Sequence, residues 1–336
     1  MTTTRTTPTT TRIPATAPAP TPTIAPAPAT TTAGPATDAT MTTTLEPSGP
    51  FSLRELATFG FGHRLNPTYD GVMRMAFCVD GDGYARQAGV EVRQDGAGVH
   101  VTVAGGEADP ATVTRQVARI LSLDHDGAAF TEVGRRDPVI GRLQAVAPGL
   151  RPPQFHSPYE AAAWAVLSAR RPAQQMAQVR QRLAETHGRC FELAGERWHA
   201  FPTPARLLTV TEFPGVPEVK LDRLHEVARA ALAGRLDVDV LRAAGPDAAM
   251  AQLRTLPGIG PFYAMLVVVR ACGLTDVLAF EPRAMAAAGR LYDLDGPPTP
   301  SAFTALAEPW RPFRTWTTVL LRAAAPRLAG MSQDLT

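Results

Sequence analysis

Apolar residues recur at helical spacing in one segment after another from Ser157 onward, and this pattern predicts an all-helical region. Ser157, Pro158 and Glu160 form a typical helix start, because Ser caps well and Pro suits the first turn. We predict no strand in this part of the chain. The predicted helices are one through Leu167, Pro172 to Thr186, a short one at Pro204, Leu221 to Leu232, Asp237 to Ala244, Pro246 to Leu253, Phe262 to Cys272, one ending at Tyr292, and a last pair from Pro300 through Ala325.

The preceding hundred or so residues have a different pattern. Clusters and alternations of β-branched residues predict strands at Gly71 to Val79, Gly89 to Arg93 and Val99 to Val103. Two helices follow, Pro110 to Leu123 and Val139 to Val146, before a Pro-rich boundary near Pro153. Strands followed by helices predict a small α+β domain.

The amino terminus differs from both regions in composition. The chain has 336 residues, and the first forty or so are nearly all Thr, Pro and Ala, with little to bury. We therefore predict a disordered tail over residues 1–45, an α+β domain over 51–153 and a helical domain over 154–328. Met41 is a candidate for the true start of the protein, because recognisable patterning begins only near Phe51.

Charge and cysteine content narrow the possible functions. The formal net charge is only +2, so the chain is not a polybasic nucleic-acid binder, although a few arginines on one face could still bind DNA. The three cysteines are isolated, with no paired spacing for zinc and too few for a four-cysteine iron–sulfur cluster. No apolar run reaches the ~18 residues of a membrane span. We expect a monomeric cytoplasmic protein that does not enter a membrane.

The turn Leu256-Pro257-Gly258-Ile259-Gly260 lies between two predicted helices. Its glycines allow unusual dihedrals and close approach, so that bare backbone N–H groups can bind an anion. The alternative is an ordinary corner between two helices. The pentapeptide alone does not distinguish the two.

The helix, the L-P-G-I-G turn and the second helix resemble the helix-hairpin-helix of DNA repair glycosylases. From about Phe51 to Ala325 the chain resembles the 3-methyladenine DNA glycosylase II family, the AlkA type. Further stretches that carry the resemblance are Asp137 to Leu143 with Pro148 to Arg151, Phe201 to Pro204, Gly215 to Leu232, and Ala307 to Arg314. The resemblance implies a mainly α fold, in which a helix-hairpin-helix glycosylase core follows an α+β domain like the TATA-binding protein.

The same resemblance implies base-excision repair of double-stranded DNA that contains damaged bases, with hydrolysis of the N-glycosidic bond of alkylated purines. The family's catalytic aspartate has Glu281 in its place here, and Glu281 could instead be a solvated cap of the next helix. Asp276 is the nearest other acid. The helix behind the hairpin has no Lys, so we expect a monofunctional enzyme. The alternative is a non-catalytic or lesion-sensing DNA-binding relative.

The remaining site residues are also implied by the resemblance. Leu256 to Gly260 would hold a DNA phosphate, and Arg170 would stand where the family inserts a wedge into the base stack. Phe262, Leu266, Trp316 and Arg322 correspond to the base pocket, although Phe262 and Trp316 could equally be core residues. No cofactor is expected, apart from a sodium or potassium ion on the backbone carbonyls of Arg254, Leu256 and Ile259.

Overall fold

The computed structural model describes residues 30–33, 40–59, 69–105 and 107–333. The fold is mainly helical with a small antiparallel sheet near the amino terminus, and this confirms the predicted class. The elements in chain order are β1 Thr30–Ala33, β2 Met41–Leu45, α1 Leu53–Thr58, β3 Met73–Cys78, β4 Gln87–Asp95, β5 Gly98–Ala104, α2 Pro110–Ile120, α3 Gly127–Arg136, α4 Pro138–Val146, α5 Pro158–Ser168, α6 Ala173–His187, β6 Cys190–Leu193, β7 Glu196–His199, α7 Pro204–Leu207, α8 Glu218–Leu232, α9 Val238–Leu253, α10 Pro261–Arg270, α11 Pro282–Leu291, α12 Pro300–Leu306 and α13 Arg314–Gln333.

The five-stranded sheet has the order β1-β2-β5-β4-β3, with every neighbouring pair antiparallel. The alternation in β5 explains its two faces, because Val99, Val101 and Val103 are buried while the residues between them are partly exposed. Apolar side chains of α1 and α2 cover the buried face of the sheet. The sheet and the helices α1 and α2 thus form two layers around one core.

Part of the predicted disordered tail is ordered, and for those residues the prediction is wrong. Met41–Leu45 pairs along its whole length with β5, and Thr30–Ala33 pairs with β2. Thr has a high strand propensity, and the edge of β5 supplies the hydrogen bonds that the segment cannot make by itself. Residues 1–29 and 34–39 of the predicted tail lie outside the described residues.

The helices other than α1 and α2 pack into two further apolar clusters. The first cluster contains α5, which is buried over its whole length, together with α6, α7, α8, α9 and α10. The second cluster contains α3, α4, α11, α12 and α13. The chain between α10 and α11, residues 271–281, passes from the first cluster to the second.

A second, two-stranded sheet contradicts the prediction that only helices follow Ser157. Strands β6 and β7 form a hairpin whose tight turn has positive φ at Ala194 and Gly195. Phe191 of β6 packs against Gly89 of the large sheet, where a Cβ would lie 2.6 Å from its ring. The hairpin depends on this contact with a distant strand, which the local pattern does not encode.

None of the helices in the described part of the chain is both long enough and apolar enough to cross a membrane.

Candidate nucleic-acid interface and active site

The helix-hairpin-helix, called the hairpin from here on, is built from the second half of α9, a short turn and α10. Gly245 breaks α9, with φ 78° and ψ 167°, so that residues 246–253 form a separate helix. Leu256 and Ile259 point into the first cluster and are each 4% exposed. Between them Gly258 has φ +91°, a conformation that glycine adopts without strain. The two buried side chains therefore anchor a turn whose backbone faces outward.

Two backbone amides of this turn are available to a ligand. The N–H groups of Gly258 and Gly260 donate to no acceptor among the described residues. Gly260 caps α10, and the first turn of any helix leaves further N–H groups without an intrahelical partner. Free N–H groups and the positive end of a helix dipole together favour an anion such as phosphate.

Two arginines lie at the turn, and two more lie between α5 and α6, where Ser168 contacts Tyr263 of α10. Arg170, Arg171, Arg223 and Arg254 have no carboxylate partner among the described side chains. Arg223 lies against the turn itself, because a Cβ on Gly258 would be 3.0 Å from its Cδ atom. We call Arg170, Arg171, Arg223, Arg254 and the hairpin turn the hairpin face. Its excess of unpaired positive charge is suited to a DNA backbone.

Sequence reasoning overlooked Arg223. It lies three residues after Lys220 on α8, so both project from the same side of that helix. That spacing was the available signal, although only the structure shows which side meets the hairpin.

Arg170 lies between α5 and α6 and is exposed. Its φ is +56°, in the left-handed region that non-glycine residues seldom adopt. The turn therefore presents the side chain in a defined, mildly strained conformation. Such strain is typical of functional turns.

Glu281 caps α11, as one of the two interpretations of the sequence expects. Its Oε2 accepts a hydrogen bond from the backbone N–H of Ala284 at 2.7 Å. Its Oε1 lies 3.9 Å from Nη1 of Arg322, and the side chain is 23% exposed. One carboxylate oxygen is thus committed to the helix, and the other faces only a distant cation.

Asp276 is held differently. Its Oδ1 accepts a hydrogen bond from Nε of Arg314 at 2.6 Å, and its Oδ2 accepts one from Nη1 of Arg311 at 2.7 Å. The backbone carbonyl of Asp276 accepts a third bond from Arg314, at 2.8 Å. Both carboxylate oxygens are occupied, so this acid serves to fix the loop that precedes α11.

The four expected pocket residues do not share one environment. Phe262 is 60% exposed at the start of α10, and Leu266 is partly buried against the first cluster. Trp316 is 1% exposed, and its ring packs on Phe130 and Phe313. Trp316 is therefore a core residue here rather than a pocket wall. Arg322 alone of the four lies beside Glu281, with about half of its side chain exposed.

The carbonyl groups expected to bind a monovalent cation differ in occupancy. The carbonyl of Leu256 accepts a hydrogen bond from Ile259 N–H at 3.1 Å, which leaves one lone pair. Those of Arg254 and Ile259 accept none from the described residues. The set fits a hard cation in chemistry. Among the described residues, no group of three or more His, Cys, Asp and Glu side chains could hold a metal ion.

No family model matches the sequence. The chain is 30% identical over 213 residues to the Mycobacterium tuberculosis (strain H37Rv) "Probable bifunctional transcriptional activator/DNA repair enzyme AlkA", which covers 62% of this chain and 42% of that protein. It is also 30% identical over 181 residues to the Escherichia coli K12 "DNA-3-methyladenine glycosylase 2", which covers 53% of this chain and 61% of that protein. The chain thus spans about half the length of these curated relatives.

The fold has a solved counterpart. A 3-methyladenine DNA glycosylase from Archaeoglobus fulgidus superimposes with a TM-score of 0.68 at 19% identity, and covers 85% of this chain and 98% of the other. At that identity the likeness concerns the fold. In sequence and in fold, the chain therefore resembles the AlkA-type 3-methyladenine DNA glycosylases of the helix-hairpin-helix superfamily, as its motifs predict.

Proposed function

We propose that the protein is a DNA glycosylase that hydrolyses the N-glycosidic bond of alkylated purines in double-stranded DNA. The observation that carries the proposal is the hairpin, because the unbonded N–H groups of Gly258 and Gly260 lie in a turn that is contacted by Arg223, an arginine without a carboxylate partner among the described residues. The relatives named as 3-methyladenine glycosylases support the substrate class. The hairpin holds the duplex through phosphate contacts that are independent of base sequence.

Glu281 is the proposed catalytic group. The damaged nucleotide must leave the base stack, because the glycosidic bond is inaccessible within the duplex. A cationic alkylated purine is a good leaving group, so the main requirement is to stabilise positive charge on the sugar or to position water against it. Oε1 of Glu281 makes no hydrogen bond among the described residues and could do this, while Oε2 stays on the amide of Ala284.

The proposed reaction is monofunctional. Strand cleavage by a bifunctional glycosylase needs an amine that attacks the sugar to form a Schiff base. Helix α10, Pro261–Arg270, contains no Lys. The ammonium of Lys220, the only lysine in the sequence, lies on α8 and donates its hydrogen bonds to the backbone carbonyls of Leu167 and Ala169 at the end of α5.

Other residues would prepare the substrate. Arg170 would enter the gap that the flipped nucleotide leaves, and the exposed ring of Phe262 would stack on the extruded base. Leu266 would line the same side. Arg322 would face the base next to Glu281 and disfavour a cationic one, so we expect slow turnover of such substrates.

Two accessory features belong to the proposal. The carbonyls of Arg254, Leu256 and Ile259 would hold a sodium or potassium ion, whose positive charge would favour a phosphate at the hairpin. The protein would act as a monomer in a reducing cytoplasm, consistent with three cysteines that form no disulfide.

One observation favours a second candidate. Glu281 has a sufficient structural role as the cap of α11, and Arg322 offsets its charge. A lesion-sensing DNA-binding protein that lacks the chemistry would keep both features together with the hairpin.

Release of 3-methyladenine and 7-methylguanine from alkylated duplex DNA, with gel analysis of the strand, tests the proposal. We expect free base and an intact abasic strand that breaks only on alkali treatment. Strand cleavage without alkali would contradict the monofunctional mechanism. Tight duplex binding without base release would favour the lesion-sensing alternative.

A further inference from the structure

A lysine from another helix hydrogen-bonds to the start of the turn that carries Arg170, residues 169–172. Nζ of Lys220 on α8 donates hydrogen bonds to the backbone carbonyls of Leu167, at 2.5 Å, and Ala169, at 3.1 Å. These carbonyls lie at the end of α5, where a helix has acceptors without an intrahelical donor and a partial negative charge. Lys220 therefore caps α5 from a helix about fifty residues away in sequence.

The position of this ammonium is otherwise unfavourable. Burial lowers the pKa of Lys220, and the positive charges of Arg171 and Arg223 lower it further. It has no carboxylate partner among the described residues. The two hydrogen bonds to backbone carbonyls offset the cost of burying this charge near two arginines. The contact is therefore a specific feature of this turn rather than an incidental surface pair.

A second contact ties the same turn to the hairpin. The hydroxyl of Ser168 donates to the carbonyl of Trp164 at 2.7 Å and lies 3.0 Å from the hydroxyl oxygen of Tyr263. Tyr263 follows Phe262 in the first turn of α10, directly behind the hairpin amides. The residues just before Arg170 thus contact two other helices, α8 through Lys220 and α10 through Tyr263.

We propose that Lys220 is a positioning residue that, with the Ser168–Tyr263 pair, holds Arg170 at a fixed distance from the hairpin amides. A phosphate bound at the hairpin then sets where Arg170 enters the base stack. This inference rests on the proposed function, since it requires that the hairpin binds duplex DNA and that Arg170 inserts. It assigns Lys220 neither a phosphate contact nor a covalent step.

The test uses the full chain and a duplex with a tetrahydrofuran abasic site beside 2-aminopurine, whose fluorescence rises when its neighbours unstack. The variants are Lys220→Met, Lys220→Arg, Tyr263→Phe and Arg170→Ala, each checked for folding by thermal unfolding. We also measure the dissociation constant between low and high salt. The slope of log K against log salt is negative, and the loss of one phosphate contact lowers its magnitude by about 0.9.

Lys220→Met should lose the fluorescence rise as Arg170→Ala does, and should keep the wild-type salt slope. Its base release should fall by roughly tenfold to a hundredfold, because misplacing a group by about 1 Å has effects of that size. Lys220→Arg keeps a cationic donor and should restore most of the signal. Tyr263→Phe removes one tie and should lower the rise partly, which keeps the inference testable if Lys220→Met does not fold.

Two results overturn the inference while leaving the proposed function standing. The first is a fluorescence rise as large as the wild type's in Lys220→Met or Tyr263→Phe. The second is a smaller magnitude of the slope of log K against log salt in Lys220→Met, which would make Lys220 a phosphate contact. Wild-type protein that neither binds the duplex nor raises the fluorescence would overturn the proposed function, and the inference with it.

Discussion

Arginines in two regions of this molecule are used in opposite ways. Where the large sheet and α2 meet α5 and α6, a region we call the sheet–helix seam, Arg119 pairs with Asp80 at 2.6 Å and Arg180 pairs with Glu160 at 2.5 Å. These side chains are almost fully buried. On the hairpin face the four arginines have no carboxylate partner among the described residues, and three of them are exposed while Arg223 is half-buried.

The difference separates arginines that hold the fold from arginines that can bind a ligand. A buried charge is unfavourable unless it is paired and hydrogen-bonded, so removing one partner of a seam pair should lower the free energy of unfolding strongly. An unpaired surface arginine adds little to stability and remains free to neutralise a phosphate. Substitutions at the seam should therefore change stability, and substitutions on the hairpin face should change DNA binding.

The largest effect is expected at the seam. Glu160→Gln leaves Arg180 buried without its counter-charge and removes a partner of His156, so we expect a loss of about 3–5 kcal/mol in the free energy of unfolding. Glu226→Gln is the matched control, because its pair with Arg229 is exposed and should contribute at most about 0.5 kcal/mol. Urea unfolding measures both. Equal losses in the two variants would mean that the buried pair contributes no more to stability than the exposed pair does.

The same carboxylate gives the seam a pH dependence. Burial raises the pKa of Glu160, but His156 and Arg180 outweigh it and leave the pKa below its usual value. Because the folded pKa is the lower one, the stabilisation is present above the unfolded pKa and is lost as the pH falls through the folded pKa. The wild type should lose more stability than Glu160→Gln below a pH of about 4.3, the ordinary Glu pKa.

The next largest effect is expected at the hairpin turn. Gly258→Ala places a Cβ at a φ of +91° and 3.0 Å from Arg223, so the turn must shift away from its phosphate-binding form. We expect duplex affinity to fall about tenfold or more, which corresponds to ~1.4 kcal/mol. Gly195→Ala is the control, because it has φ +78° with nothing within 4 Å in the β6–β7 turn. Similar affinities for the two variants would mean that the hairpin does not contact DNA.

The smallest effect compares two arginines on α8. Arg223 lies on the hairpin face without a carboxylate partner, whereas Arg229 pairs with Glu226 six residues further along. Arg223→Ala should lower the magnitude of the slope of log K against log salt by about 0.9, and Arg229→Ala should leave it unchanged. Fluorescence anisotropy over a salt series measures both. A lower slope for Arg229→Ala alone would place the DNA on another face.

Local signals predicted the helical site well. Ser157 with Pro158 and Glu281 with Pro282 are start signals written within a few residues, and the structure has helices beginning there. The break at Gly245 was also visible, since two helices were predicted on either side of it. Elements that depend on their own sequence could be located without a structure.

Elements that depend on a distant partner could not. Met41–Leu45 needs β5, and the β6–β7 hairpin needs Gly89 and the rest of the large sheet. The ties between Lys220 and α5 join residues more than fifty positions apart, and no periodicity reveals them. The core position of Trp316 likewise follows from tertiary packing rather than from its motif.

The central claim concerns two acids five residues apart. Both oxygens of Asp276 are held by arginines, whereas one oxygen of Glu281 remains without a hydrogen bond among the described residues. The most direct test is the single-turnover rate of 3-methyladenine release by wild type, Glu281→Gln and Asp276→Asn. Gln keeps an oxygen that can cap α11 but has no charge.

We predict that Glu281→Gln binds duplex DNA as the wild type does and releases base at least about a hundredfold more slowly, within the range for a preorganised charge. Asp276→Asn should lose stability and keep a rate near that of the wild type. A wild-type rate in Glu281→Gln would contradict the account, and the contradiction would be complete if Asp276→Asn were inactive while folded.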